Sequence, residues 1–120
     1  MIVCCIEEVN MLVSDLQFND ACKVYASVEA LAKPIAGVVV GDLLSNVMGA
    51  GEAGNVWVTA QNHLNVVAVA LLKEFGALII SGGLTPDQTV IDKAMEEHLA
   101  LIVCQNSSYE VCCWLHQQQV

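Results

Sequence analysis

The chain has 120 residues, of which 56% are apolar, 14% charged and 5% aromatic, and its formal net charge is −9. Its four cations are all Lys, with no Arg, so it lacks the positive surface that neutralises nucleic-acid phosphates or docks on anionic membranes. No stretch reaches the roughly 18 consecutive apolar residues of a membrane span.

The apolar residues are mainly Val, Leu, Ile and Ala, which predicts an aliphatic core in a single domain spanning 1–120. So much apolar surface with so little charge also predicts a partner-covered face, and the partner expected is a second copy of the chain. The N-terminal "MIVCCIEEVN" lacks a basic n-region and reads as no signal peptide. Six Cys (4, 5, 22, 104, 112 and 113) without a secretory signal predict reduced thiols in a cytoplasmic protein.

Residues 2–10 read as helix and "MLVS" (11–14) as a short strand, while "ACKVYASVEALA" (21–32) is compatible with strand or helix. From residue 35 the pattern alternates. "IAGVVVG" (35–41) reads as a strand buried on both faces. A short helix follows over 42–49, with Asp42 near its start. "NVWVTA" (55–60) is the next strand. The helix over 61–76 carries Asn62 as candidate N-cap and Gly76 as its stop. "ALIIS" (77–81) is a strand, and Pro86 opens a helix to about Glu97 from its first turn. Glu96, Glu97 and His98 read as a solvated helix end. "ALIVC" (100–104) is the last strand. Ser107 or Ser108 caps a final helix to about Gln118, with Glu110 in its first turn. Strands alternating with helices predict an α/β fold with a mostly parallel sheet.

In such folds ligands bind beyond the carboxyl ends of the strands. The loops expected there supply Asp42, Asn62, His63, Gly82, Gly83, Thr85, Asn106 and Ser107 as candidate ligand residues, and the same residue types also fill turns and caps. "SGGLTPDQT" (81–89) could hold an anion on backbone N–H groups. However, no Lys follows its glycines, and neither a P-loop nor a G-x-G-x-x-G pattern occurs in the chain. A P-loop kinase is therefore disfavoured, and no motif calls for a cofactor. His63 is the best general-base candidate, with Asp42 as its partner in a small enzyme; a surface His at a helix start is the plainer reading. Cys112, Cys113 and His116 fall within one helical turn, a spacing that alone is weak evidence for metal. Trp57 and Trp114 read as packing anchors.

"GDLLSNVM", "WVTAQNHLNVVAVA" and "IISGGLTPDQTVIDKA", in that order and spacing, resemble the DRTGG domain family over about residues 24–116. The resemblance implies a three-layer α/β/α domain similar to the N-terminal domain of HPr kinase/phosphorylase. It also implies a non-catalytic regulatory or scaffolding role, association with CBS domains as in certain regulated pyrophosphatases, and homodimer contacts. A sensor of a small polar or anionic ligand, including a nucleotide, is compatible with it. The family's eponymous Asp-Arg…Thr-Gly-Gly is replaced here by Ala32-Lys33-Pro34-Ile35-Ala36-Gly37, with Lys33 in place of the Arg and Gly37 in place of a glycine.

Overall fold

The computed structural model describes residues 11–120, so the helix expected over 2–10 lies outside the described residues. In chain order the elements are β1 (Met11–Leu12), a 3-10 turn (Val13–Asp15), β2 (Cys22–Tyr25), α1 (Val28–Leu31), β3 (Pro34–Ile35), β4 (Val38–Val40) and α2 (Leu44–Ala50). They continue with β5 (Val56–Thr59), α3 (Leu64–Leu72), β6 (Ala77–Ile80), α4 (Gln88–Glu96), β7 (Ala100–Cys104) and α5 (Ser108–Gln117). Among the described residues no helix is long and apolar enough to cross a membrane.

The main sheet has five strands in the order β2-β7-β6-β5-β4. β4 to β7 run parallel, and β2 pairs antiparallel with β7 at one edge. β1 and β3 form a separate antiparallel pair. Every residue of β5, β6 and β7 is buried, and all but Thr59 are apolar. Alternate side chains face opposite layers. Trp57, Leu78, Ile80, Leu101 and Val103 pack on α2, α3 and α4 through Val47, Val66, Val67, Ala70, Val90, Ile91 and Ala94. Val56, Val58, Ala77, Ile79, Ala100, Ile102 and Cys104 pack on the other side against Ala30, Val111 and Leu115 and the N-terminal Val13 and Leu16. The result is the expected three-layer α/β/α arrangement with a mostly parallel sheet.

Both tryptophans anchor packing. Trp57 is fully buried, donates from Nε1 to the Gly41 carbonyl at 2.9 Å, and meets Phe75 edge-on at 5.8 Å. Trp114 lies 5.0 Å from Phe18.

Several expected boundaries are corrected. The strand expected over 35–41 is two strands hinged at Gly37, whose φ of 79° is a left-handed conformation that favours glycine. That hinge lets β3 pair with β1 while β4 joins β5. β4 is an edge strand, not one buried on both faces, and Val40 is 52% exposed. In 21–32 the ambiguity resolves as one strand and one short helix, because Ser27 accepts the Ala30 N–H at 3.1 Å and starts α1. The first of the parallel-layer helices starts at Leu44, after N-cap Leu43, leaving Asp42 outside it.

α3 spans Leu64–Leu72, inside the expected 61–76, and its N-cap is His63, not Asn62. It stops at Glu74, which takes a φ of 58°, and not at Gly76. Gly76 serves close approach instead. A Cβ there would collide with Ile35 Cγ2 and sit 3.1 Å from the Pro34 carbonyl. Pro86 is buried and precedes the N-cap Asp87, so it fixes the entry to α4 and does not occupy its first turn. β7 matches its expected bounds, and of the two expected caps Ser107 is the N-cap, forming a capping box with Glu110. Glu96, Glu97 and His98 form a solvated end to α4, as expected, and there His98 Nδ1 meets Ser27 Oγ at 3.0 Å, the N-cap of α1.

Gly76→Ala is expected to destabilise the fold by about 1–3 kcal/mol, because the backbone at Pro34 cannot retreat to admit a methyl group. The urea midpoint measures it, and an unchanged midpoint would show that the 34–35 and 76 segments are not in close contact.

Candidate functional site

Because β4 to β7 are parallel, the segments that follow them emerge at one end of the sheet. Asp42, Asn62 and His63, the stretch 82–87, and Asn106 with Ser107 share that end, as the sequence predicts. Hydrogen bonds among these loops draw them into one rim.

Asp42 Oδ1 accepts from the Thr59 hydroxyl and the Ala60 N–H, each at 2.8 Å. Thr59 Oγ1 in turn accepts the Gln61 N–H at 3.1 Å. The fully buried Ser81 hydroxyl shares a 2.6 Å hydrogen bond with Ser108 and donates to the Thr59 carbonyl at 3.3 Å. Asn62 Nδ2 donates to the Thr85 carbonyl at 3.4 Å, which joins the loop after β5 to the loop after β6. Ser107 Oγ accepts the Glu110 N–H at 3.2 Å, capping α5. Asp42 therefore locks the β4 and β5 ends together, a role its helix-start appearance in sequence conceals.

Gly82 and Gly83 have φ of 83° and 79°, conformations that favour glycine. Their N–H groups point at the end of β7: Gly82 donates to the Asn106 carbonyl at 2.7 Å and Gly83 to the Cys104 carbonyl at 3.0 Å. These two backbone donors are engaged within the protein, so an anion at this end would draw on other groups. No hydrogen bond joins His63 to Asp42, whose Oδ1 is taken by Thr59 and Ala60.

Two cavities flank the edge strand β2 at this rim. One, of about 390 Å³, is lined by Asp20, Lys23, Tyr25, Thr85 and Gln105, with Cys22 at its wall. Lys23 Nζ lies 5.7 Å from the Tyr25 ring centroid, so the groove offers a cation beside an aromatic face. The other, of about 190 Å³, is lined by Asn19, Cys22, Asn106, Glu110 and Trp114. Of the sequence-predicted site residues, Thr85 lines the first and Asn106 the second; Asp42, Asn62, His63, Gly82, Gly83 and Ser107 line neither. Asp20, Lys23 and Tyr25 were not singled out in sequence, because their relevance depends on β2 pairing antiparallel beside β7. A third cavity, of about 380 Å³, opens at the opposite end of the fold around Lys33, Pro34, Gly54, Leu71, Phe75 and Gly76.

The expectation of uniformly reduced thiols is overturned: Cys22 and Cys104 are joined in a disulfide. The two residues are direct partners in the β2–β7 register, which sequence spacing cannot reveal. Among the described residues Cys112 and Cys113 have no disulfide partner. Burial, and then the neighbouring Cys113, push the Cys112 thiol above its ordinary value. A hydrogen bond with Cys113, followed by that thiol's charge, raises the exposed Tyr109. Among the described residues no three His, Cys, Asp or Glu side chains gather as a metal site, so Cys112, Cys113 and His116 do not form one.

The model of the DRTGG domain family matches residues 20–118. A solved structure of the CBS and DRTGG domains of the regulatory region of Clostridium perfringens pyrophosphatase, complexed with the activator diadenosine tetraphosphate, superposes with a TM-score of 0.65 at 18% identity. The match covers 78% of this chain and 40% of that one, so this chain spans less than half of that structure. No curated protein matches the sequence.

Asp42→Ala is expected to cost about 1–3 kcal/mol, since it strands the buried Thr59 hydroxyl and the Ala60 N–H. His63→Ala, at an exposed position without a capping bond, is expected to stay within about 0.5 kcal/mol of wild type. Urea unfolding of both variants checks the contrast, and equal losses would contradict a positioning role for Asp42.

Proposed function

The chain belongs to the DRTGG domain family, and from that membership we propose that it is a regulatory, ligand-sensing domain without catalysis of its own. The observation that carries the reading is the family match over residues 20–118, with the structural likeness to a regulatory region complexed with a nucleotide activator in support. The ligand class is small and polar or anionic, and nucleotides are its first members to test. The groove between β2 and the 82–87 loop suits it. It holds Lys23 for a negative charge, the Tyr25 ring for a planar group, and Thr85 and Gln105 as hydrogen-bonding partners. Asn62 supports this groove through Thr85, and Gly82, Gly83, Asn106 and Ser107 shape the neighbouring loops, while Asp42 and His63 complete the rim.

We also propose that the domain works as a homodimer. Val40, Leu43 and Leu64 are 52%, 60% and 49% exposed, and all three belong to the segments at the β4 edge or at the strand ends beside it. The edge of β4, unpaired among the described residues, adds backbone donors and acceptors to that apolar surface. A second copy would cover both.

A panel of mononucleotides and dinucleoside polyphosphates at millimolar concentration is expected to raise the melting temperature, following the ratio of ligand concentration to dissociation constant. Lys23→Ala is expected to abolish that rise. Flat melting curves across the panel would overturn the sensing reading. Light scattering is expected to give twice the chain mass at micromolar concentration, and Val40→Lys to shift it to the monomer. A wild-type monomer would overturn the dimer.

A further inference from the structure

Cys22 and Cys104 stand 82 residues apart in sequence, yet they face each other across the β2–β7 ladder. The Gln105 N–H donates to the Ala21 carbonyl at 3.0 Å, so the pair occupies a non-hydrogen-bonded site, where antiparallel side chains approach most closely. Their exposure is unequal. Cys104 is fully buried in the core, whereas Cys22 is partly exposed and lines both grooves of the rim. The backbone of the buried partner also holds the candidate ligand loop, because the Cys104 carbonyl takes the Gly83 N–H and the next loop residue but one, Asn106, takes the Gly82 N–H.

We propose that Cys22 and Cys104 form a reversible thiol–disulfide modification site, exchanging with low-molecular-weight thiols and disulfides. In the closed state the bond fixes β2 to β7 and orders the 82–87 loop. The effect on the ligand loop rests on the ligand-sensing reading; the bond itself does not. In the opening direction, an external thiolate attacks the accessible Cys22 sulfur. The S–S bond breaks, the electron pair stays on Cys104, and Cys104 takes up a proton. A second external thiolate then displaces Cys22 from the mixed disulfide. One protein disulfide and two thiols give two protein thiols and one small disulfide. Closing is the reverse, with a small disulfide such as glutathione disulfide as the oxidant. Among the described residues β2 pairs with the main sheet through β7 alone, so opening this bond removes the covalent part of its anchorage.

The test uses the full chain, reduced and then equilibrated with glutathione disulfide. Thiol titration under denaturing conditions is expected to find two fewer thiols than the six of the sequence, and peptide mass spectrometry to find Cys22 cross-linked to Cys104. Reduction is expected to lower the melting temperature by about 10 °C and to speed amide exchange at Gly82 and Gly83 by about tenfold. Cys22→Ser is expected to melt like the reduced wild type under either condition. Glutathione retained on Cys22, or a cross-link confined to Cys112 and Cys113, would overturn the proposal. A Cys22–Cys104 bond that leaves Gly82 and Gly83 exchange unchanged would overturn the coupling to the loop. If the bond forms and no ligand binds, the sensing reading fails and the modification site stands.

Discussion

Burial of β5, β6 and β7 on both faces is the constraint from which the rest of this structure follows. A strand with no solvent-facing side must carry apolar residues or polar ones hydrogen-bonded internally, and its backbone polar groups must be satisfied by neighbouring strands. Val56-Trp57-Val58, Ala77 to Ile80 and Ala100 to Cys104 meet that demand. The helices have to cover two faces, which gives three layers. Polar chemistry is left to the strand ends and edges. Gly76 is one of its tight points, because Ile35 and Pro34 press against the start of β6.

The rim at the carboxyl ends spends much of its polarity on itself. Asp42 closes on Thr59 and Ala60, Ser81 on Ser108, Asn62 on Thr85, and the diglycine amides on the end of β7. Such groups align four loops and leave few donors for a ligand. What remains for recognition lies at the sheet edge, where the antiparallel β2 brings Lys23 and Tyr25 beside Thr85 and Gln105. On the proposed sensing reading, scaffold and recognition are divided between the parallel strands and their antiparallel neighbour. The disulfide joins the two at the boundary.

Legibility in the sequence tracked this division. The unbroken run "ALIVC" and the capping residues Ser107 and Glu110 marked β7 and α5, because local pattern and local hydrogen bonding decide them. The strand ends were recognisable from glycine and amide punctuation, and the family resemblance carried the layer arrangement. Features that depend on long-range pairing were not legible. Val38 to Val40 read as a buried strand because a β-branched run gives no sign that it will lie at an edge. Asn62 and Gly76 resembled a cap and a stop, while the structure uses Glu74 in the left-handed region and reserves Gly76 for contact. "ACKVYA" was ambiguous, and with it the β2 edge, its groove and the Cys22–Cys104 pairing stayed hidden.

The central claim is that ligand recognition is concentrated where β2 meets the loops after β6 and β7. Backbone amide chemical shifts recorded by NMR during titration with diadenosine tetraphosphate and with mononucleotides test it most directly. Perturbations are expected to cluster at residues 20–25, 82–87 and 104–107. Perturbations centred instead on Lys33, Gly54 and Gly76 at the opposite end, or none at saturating nucleotide, would contradict it.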